Sequence, residues 1–170
     1  VKTQVTIDFE REGTKFQRTD YEILIGQTNR EESLALGELL YRDFAVTYLT
    51  TRIAIYGKSA EALEKATNWF VDNCLDGSAK TLTVEQKLNH KEAFDYSLKT
   101  LTIGGNPIAE YEIVTELSEK EKAYPLQEAI ANLCGIVLPI VTAPTDGKRS
   151  VCFGNATSAS RQQMDSLMFN

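Results

Sequence analysis

The chain has 170 residues, of which 42% are hydrophobic and 25% are charged, and this composition is typical of a folded protein rather than of a disordered one. Its 24 acidic residues outnumber its 18 basic residues, so the formal net charge is −6. This charge disfavours a protein that is wrapped in nucleic acid through bulk electrostatic attraction, although a local basic patch stays compatible with it.

Cysteine content and hydropathy indicate the compartment. The three cysteines, Cys74, Cys134 and Cys152, are an odd number with wide spacing, so we expect neither a disulfide framework nor a zinc site. No stretch approaches the roughly 20 apolar residues that a membrane-spanning helix needs, and the N-terminus lacks the pattern of a signal peptide. We therefore predict a soluble protein without membrane contact, located in the cytoplasm or in a particle assembled inside the cell.

The N-terminal part combines strand and helix patterns. Residues 5–9 alternate apolar and polar side chains, which predicts a half-buried strand, and residues 21–25 predict a second strand. Thr28 and Glu31 have the spacing of a capping box and predict the start of a helix. Four apolar residues would share one face of that helix: Leu36, Leu39, Leu40 and Phe44.

Residues 45–56 are rich in β-branched and aromatic side chains and predict one long strand. In such a strand Tyr48, Arg52 and Tyr56 lie on one face, with Lys58 just beyond. Rings interleaved with cations suit single-stranded nucleic acid, because rings stack on bases and cations meet phosphates. The competing interpretation is ordinary cross-strand packing on the outer side of a sheet.

Two more helices and several strands follow. Ser59 predicts the start of a second helix that ends near residues 76–77, and Pro125 predicts the first turn of a third helix that ends at Gly135. Strands are predicted over residues 80–88, 96–103 and 108–117, and the Gly-Gly-Asn-Pro turn at 104–107 joins the last two in a hairpin. The third helix would point three residues inward: Leu126, Ile130 and Leu133.

The order of these elements predicts an α+β fold, in which about three helices cover a mixed, mainly antiparallel sheet. The globular body would cover residues 1–142. Residues 143–170 would form an extended C-terminal arm, because their polar composition cannot bury enough apolar area to offset the ordering entropy. The arm carries four apolar residues that we predict to bind a partner: Met164, Leu167, Met168 and Phe169.

Signals for chemistry are few. The sequence contains no phosphate-binding loop, dinucleotide fingerprint, nucleophile elbow or helical metal motif, so we predict no catalytic residue, no metal site and no cofactor. His90, the single histidine, is interpreted as a solvated loop residue between two strands. Cys152 follows Lys148 and Arg149, and neighbouring cations of this kind activate a thiol.

The remaining polar and thiol groups have simple structural interpretations. Cys74 and Cys134 share apolar helix faces and are interpreted as small core residues. The acidic pairs at i, i+2 are interpreted as solvated strand faces rather than as metal ligands. These pairs are Asp8 with Glu10 and Glu110 with Glu112.

Three functions remain, in order of preference. The first is a non-enzymatic assembly subunit that self-associates or docks into a larger complex, of which a virus-like particle is one type, through the arm. The second is a single-stranded nucleic-acid-binding module that uses Tyr48, Arg52, Tyr56 and Lys58. The third is a cysteine-dependent enzyme that pairs Cys152 with His90. A frayed terminus with incidental apolar residues is the competing interpretation of the arm.

Overall fold

The computed structural model describes residues 22–28, 30–34, 36, 38–49, 51–75 and 88–154. The predicted strand at 5–9, most of the one at 80–88 and the four apolar arm residues Met164, Leu167, Met168 and Phe169 lie outside that part. The fold is α+β, as predicted. The chain divides into two compact units: unit 1 comprises Val1–Leu39 and Phe44–Glu92, and unit 2 comprises Leu40–Asp43 and Ala93–Asn170.

Unit 1 is built on a four-stranded mixed sheet with the strand order β1-β3-β2-β4. Strand β1 runs parallel to β3, while β2 runs antiparallel to both β3 and β4. The elements of unit 1, in chain order, are β1 (Glu22–Ile25), α1 (Glu31–Leu34), β2 (Phe44–Leu49), β3 (Arg52–Gly57), α2 (Ala60–Cys74) and β4 (Asn89–Glu92).

Helix α2 covers one face of this sheet. The Ser59 hydroxyl accepts the Ala62 N–H at 3.1 Å, which confirms the predicted helix start. Helix and sheet bury a common apolar cluster, since residues at helical spacing on α2 meet alternate residues of β2 and β3. Its buried members are Phe44, Val46, Ile53, Ile55, Ala62, Ala66 and Phe70.

The predicted long strand over residues 45–56 is wrong, because the chain reverses direction between Leu49 and Arg52. Strands β2 and β3 form an antiparallel pair in which Tyr48 lies opposite Ile53. The sequence between the two strands is Thr-Thr, which carries none of the Gly, Asn or Asp signals by which a tight turn is recognised.

The predicted capping box and the helix that it starts are also wrong. The Thr28 hydroxyl accepts the N–H of Arg30 at 3.2 Å, and α1 has four residues. Buried Ser33 closes this segment, since its hydroxyl donates to the Gly26 carbonyl and accepts the Thr28 N–H, both at 2.8 Å. Leu36 joins a core cluster with Tyr56 on one sheet face, whereas Phe44 begins β2 and belongs to the cluster under α2. The residues predicted to share one helical face therefore do not share one: Leu36, Leu39, Leu40 and Phe44.

Unit 2 contains a short hairpin and a three-stranded parallel sheet with the order β8-β7-β9. The turn lies where predicted, with Gly104 and Gly105 at φ +57° and +82°, the left-handed values that such turns require. The predicted second strand of the hairpin, 108–117, is wrong, because residues 106–107 pair across the turn and residues 108–110 form a 3-10 helix. The predicted strand over 96–103 is wrong except for its last two residues. The elements are β5 (Thr102–Ile103), β6 (Asn106–Pro107), β7 (Tyr111–Val114), α3 (Lys120–Cys134), β8 (Ile140–Val141) and β9 (Arg149–Cys152). Strand β9 lies within the segment 143–170 that the sequence assigns to the arm.

Helix α3 begins earlier than predicted, so that Pro125 is its sixth residue rather than a member of its first turn. Leu126 and Ile130 pack against the unit 2 core as predicted, but Leu133 is exposed. Gly135 ends the helix in the predicted left-handed conformation, with φ +80°. In the described ranges, no helix is both long and apolar enough to cross a bilayer.

A buried carboxylate fixes residues 40–43 within unit 2. Asp43 accepts the N–H of Leu40 at 3.2 Å, the N–H of Phe94 at 2.9 Å and the hydroxyl of Tyr96 at 3.3 Å. The same hydroxyl accepts the N–H of Arg42 at 2.6 Å, and its burial raises the pKa of Tyr96. One carboxylate therefore joins two separate parts of the chain.

Replacing Asp43 by alanine should lower the free energy of unfolding by about 1–3 kcal/mol, because two partly buried N–H groups and the buried Tyr96 hydroxyl lose their acceptor. Asp95→Ala is the matched control, since Asp95 is exposed and pairs only with Lys99 at the surface. Chemical denaturation followed by circular dichroism measures both variants. Equal destabilisation by the two substitutions would contradict the assigned role of Asp43.

Candidate functional site: the apolar edge of strand β1

The predicted aromatic and basic strand face does not exist as one surface. Residues directly opposite each other in an antiparallel pair share a sheet face, so Tyr48 lies on the face of Ile53, and Arg52 and Tyr56 lie on the other. Tyr48 packs against the core under α2, and Tyr56 is 3% exposed in the core on the opposite face. The nucleic-acid alternative thereby loses the surface on which it was based, and of its four residues only Lys58 is exposed.

Arg52 forms ion pairs with two glutamates of its own unit. Its guanidinium binds Glu22 at 2.7 Å and also Glu32, and Arg30 binds the other oxygen of Glu22 at 3.2 Å. These hydrogen bonds, first from Glu32 and then from Glu22, raise the pKa of Arg52. The four largely buried side chains tie β1, α1 and the start of β3 together, which explains an arginine at this position without a ligand.

His90 and Cys152 lie in different units. His90 is in β4 rather than in a solvated loop, which corrects the prediction, and its ring stacks on Trp69 with centroids 3.9 Å apart and planes 4° apart. Cys152 is exposed at the end of β9 in unit 2. The Glu110 carboxylate binds Arg149, the first residue of β9, at 3.4 Å.

The acidic residues Glu110, just before β7, and Glu112, within β7, differ in burial. Glu110 is exposed, but Glu112 is 1% exposed and accepts the Thr145 N–H at 2.6 Å, so the prediction of a solvated face is wrong for Glu112. Strand β7 is the central strand of a parallel sheet, and such strands are covered on both faces. The other pair, Asp8 with Glu10, lies outside the described residues. Across the part of the chain that is described, no group of three or more His, Cys, Asp or Glu residues has the arrangement of a metal site.

Strand β1 carries the feature that best suits an interaction. It is one of the two outermost strands of the sheet that the structure describes in unit 1, and it pairs with β3, its one described neighbour. Leu24 points into the core, while Ile23 and Ile25 are 50% and 56% exposed on the other face. Edge strands are normally guarded by charged side chains, yet the charge on this one, Glu22, is held by Arg30 and Arg52. We call Ile23, Ile25 and the outer backbone of this strand the β1 edge.

Sequence reasoning missed the β1 edge. The run Ile23-Leu24-Ile25 is apolar without interruption, a pattern typical of a strand that is buried on both faces. Its position at the margin of the sheet depends on the pairing of β1 with β3, which is more than 25 residues away in the chain. No local pattern carries that information.

The thiols should differ in reactivity towards an alkylating reagent under native conditions. Cys152 is exposed and should react first, whereas Cys134 is buried and burial raises the pKa of Cys74, which lowers its reactive thiolate fraction. Mass spectrometry of time points resolves the three sites, and all three should react alike in denaturant. If Cys74 is alkylated as fast as Cys152, this order is wrong. If the alkylation rate of Cys152 stays high well below pH 8, the thiol is activated, and the hypothesis of a cysteine-dependent enzyme gains support.

Comparisons with known proteins do not supply a relative from which a function could be transferred. No protein family, no curated protein and no solved structure matches this chain. Function is therefore inferred from the side chains themselves, and first from the β1 edge.

Proposed function

We propose that the chain is a non-enzymatic assembly subunit that self-associates, with the apolar arm residues of one copy docking on the β1 edge of another. One observation carries this proposal: two half-exposed isoleucines stand side by side on an outermost strand whose acidic residue is neutralised by internal ion pairs. An uncharged, apolar strand margin of this kind is a surface on which another chain pairs.

The β1 edge offers two kinds of contact. Burying a large apolar side chain stabilises a complex by about 1.5–3 kcal/mol before ordering costs, so Ile23 and Ile25 together provide a useful anchor. The outer backbone of an edge strand adds N–H and C=O groups that an extended segment can pair with. The apolar side chains would then determine which segment binds, and the backbone hydrogen bonds would stabilise the complex.

The arm has the reach and the side chains for this docking. Sixteen residues, 155–170, follow the last described position, and at 3.3 Å per residue a fully extended segment of that length spans about 50 Å. Its apolar members, Met164, Leu167, Met168 and Phe169, match the apolar character of the β1 edge. A polar segment that gains order only when its apolar residues are covered also suits reversible assembly.

This contact is heterologous, because the arm of one copy and the β1 edge of the next are different surfaces. Heterologous contacts generate closed rings or open filaments, whereas pairing of two identical edges would generate a two-fold dimer. The size of the associated species therefore distinguishes docking of the arm from pairing of the two β1 edges.

Ile25→Lys should abolish association, because a lysine on an edge strand places a charge where the partner must pack. Light scattering of the full chain measures mass, and Leu117→Lys is the control, since Leu117 is 77% exposed in unit 2 and lies outside the β1 edge. The melting temperature of both variants should stay near that of the parent chain. Dissociation by both substitutions, or by neither, would count against the β1 edge.

Phe169→Ala, or Leu167→Ser together with Met168→Ser, should weaken association about as much as Ile25→Lys while leaving the melting of the body unchanged. Each large apolar side chain that is no longer buried should reduce the free energy of association by about 1.5–3 kcal/mol. If these changes lower the melting temperature of a chain shown to be monomeric, the arm folds onto its own copy and the proposal is wrong. If only Ile25→Lys dissociates the assembly, and the species is a dimer, the edges pair with each other instead.

A further inference from the structure

Two residues of β1 direct their backbone groups away from β3. Gly26 donates its N–H to the Ile55 carbonyl at 2.9 Å, in line with the parallel register of β1 and β3. Backbone groups of successive strand residues point to opposite edges, so Leu24 and Gly26 direct theirs towards β3. Ile23 and Ile25 alternate with them and therefore direct their N–H and C=O groups to the outer edge. No strand pairs with that edge in the part of the chain that is described.

The same two residues carry the apolar surface of β1 that is still uncovered. Ile23 and Ile25 are half-exposed, whereas Leu24, on the opposite face, is 7% exposed. A strand that paired with the outer edge would place its side chains alternately on the two faces of the sheet. Only the side chains on the isoleucine face would find much apolar surface to bury. The β1 edge therefore favours a partner strand with two apolar residues two positions apart.

The arm contains such a pair. Leu167 and Phe169 are two positions apart, and Met168 lies between them. In an extended segment Leu167 and Phe169 share one face, while Met168 points to the other face together with Met164. A helix would instead group Met164, Leu167 and Met168 on one face and leave Phe169 outside it. Docking as a strand and docking as a helix thus depend on different side chains.

We propose that the arm of one copy binds as a strand antiparallel to β1 of the next copy, with Phe169 opposite Ile23 and Leu167 opposite Ile25. This inference rests on the assembly function proposed above. Antiparallel pairing is the more stable arrangement per residue, and in it a residue that points its backbone at the partner exchanges both hydrogen bonds with the residue opposite. Opposed side chains lie about 4.5–5.5 Å apart at Cβ, which brings Phe169 against a β-branched residue.

The charges along this register are compatible with pairing. Residues 166–170, which would lie along 22–26, have no charged side chain. Glu22 is the one charged residue of β1, and it binds Arg30 at 3.2 Å and Arg52 at 2.7 Å within unit 1. An apolar strand would therefore meet a margin whose single carboxylate is already neutralised.

Single substitutions in the full chain distinguish the strand from a helix. Leu167→Ser and Phe169→Ser should each raise the dissociation constant of the assembly at least about tenfold, because each removes a large apolar side chain from the isoleucine face. Met168→Ser is the matched control and should leave the constant nearly unchanged. Light scattering over a dilution series measures the constants. Equal weakening by Met168→Ser and Leu167→Ser, or parent-like association of Phe169→Ser, overturns the strand.

Synthetic peptides of residues 161–170 test the backbone pairing. Added to the full chain, the unmodified peptide should compete with the arm and lower the mass of the assembly. Methylation of the backbone nitrogen of Leu167 or Phe169 should weaken this competition at least about tenfold, because a donor to β1 is lost. Methylation at Met168 is the matched control, since its N–H would point away from β1, and this peptide should compete like the unmodified one.

The peptides also separate failure of the strand from failure of the assembly. Equal loss of competition at all three methylated positions, or loss at none of them, overturns antiparallel pairing in this register while arm docking stands. If the unmodified peptide leaves the mass unchanged, docking of the arm is itself contradicted, and the strand with it.

Discussion

Strand β3 pairs through both of its edges, and the rest of unit 1 depends on this double pairing. It binds β1 in parallel and β2 in antiparallel register, while Arg52 at its start holds Glu22 and Glu32. Its side chains alternate between two core clusters. Ile53 and Ile55 pack under α2, and Ala54 and Tyr56 pack on the other face of the sheet. The β1 edge follows from this arrangement, because the pairing with β3 puts β1 at the margin of the described sheet.

Sequence reasoning succeeded where a feature is encoded within a few residues. The Ser59 cap, the Gly104-Gly105 turn and the Gly135 helix end each rest on a local backbone requirement. It failed where one local pattern fits two structures, and only the pairing with distant residues decides between them. A continuous strand and a hairpin fit residues 45–56 equally well, and the choice between them decides which face each side chain of β3 occupies relative to β2.

The same limit applies to the candidate sites. Glu112 alternates with Tyr111 and Ile113 as in a strand with one solvated face, yet β7 is the central strand of its sheet and the carboxylate is buried, accepting the Thr145 N–H. Conversely, the apolar run of β1 suggests full burial, yet Ile23 and Ile25 are half-exposed because one described strand lies beside it.

Association through β1 needs two features that lie in different directions. The side chains of Ile23 and Ile25 stand on the sheet face that Ile53 and Ile55 share, because these residues are register partners in the parallel pair. The outer backbone of β1 lies along the edge that β3 does not occupy. The ion pairs of Glu22 with Arg30 and Arg52 lie within unit 1 and stabilise β1 whether or not a partner is bound. Because Arg52 holds the strand from within, a partner can contact its exposed margin without loss of the pairing between β1 and β3.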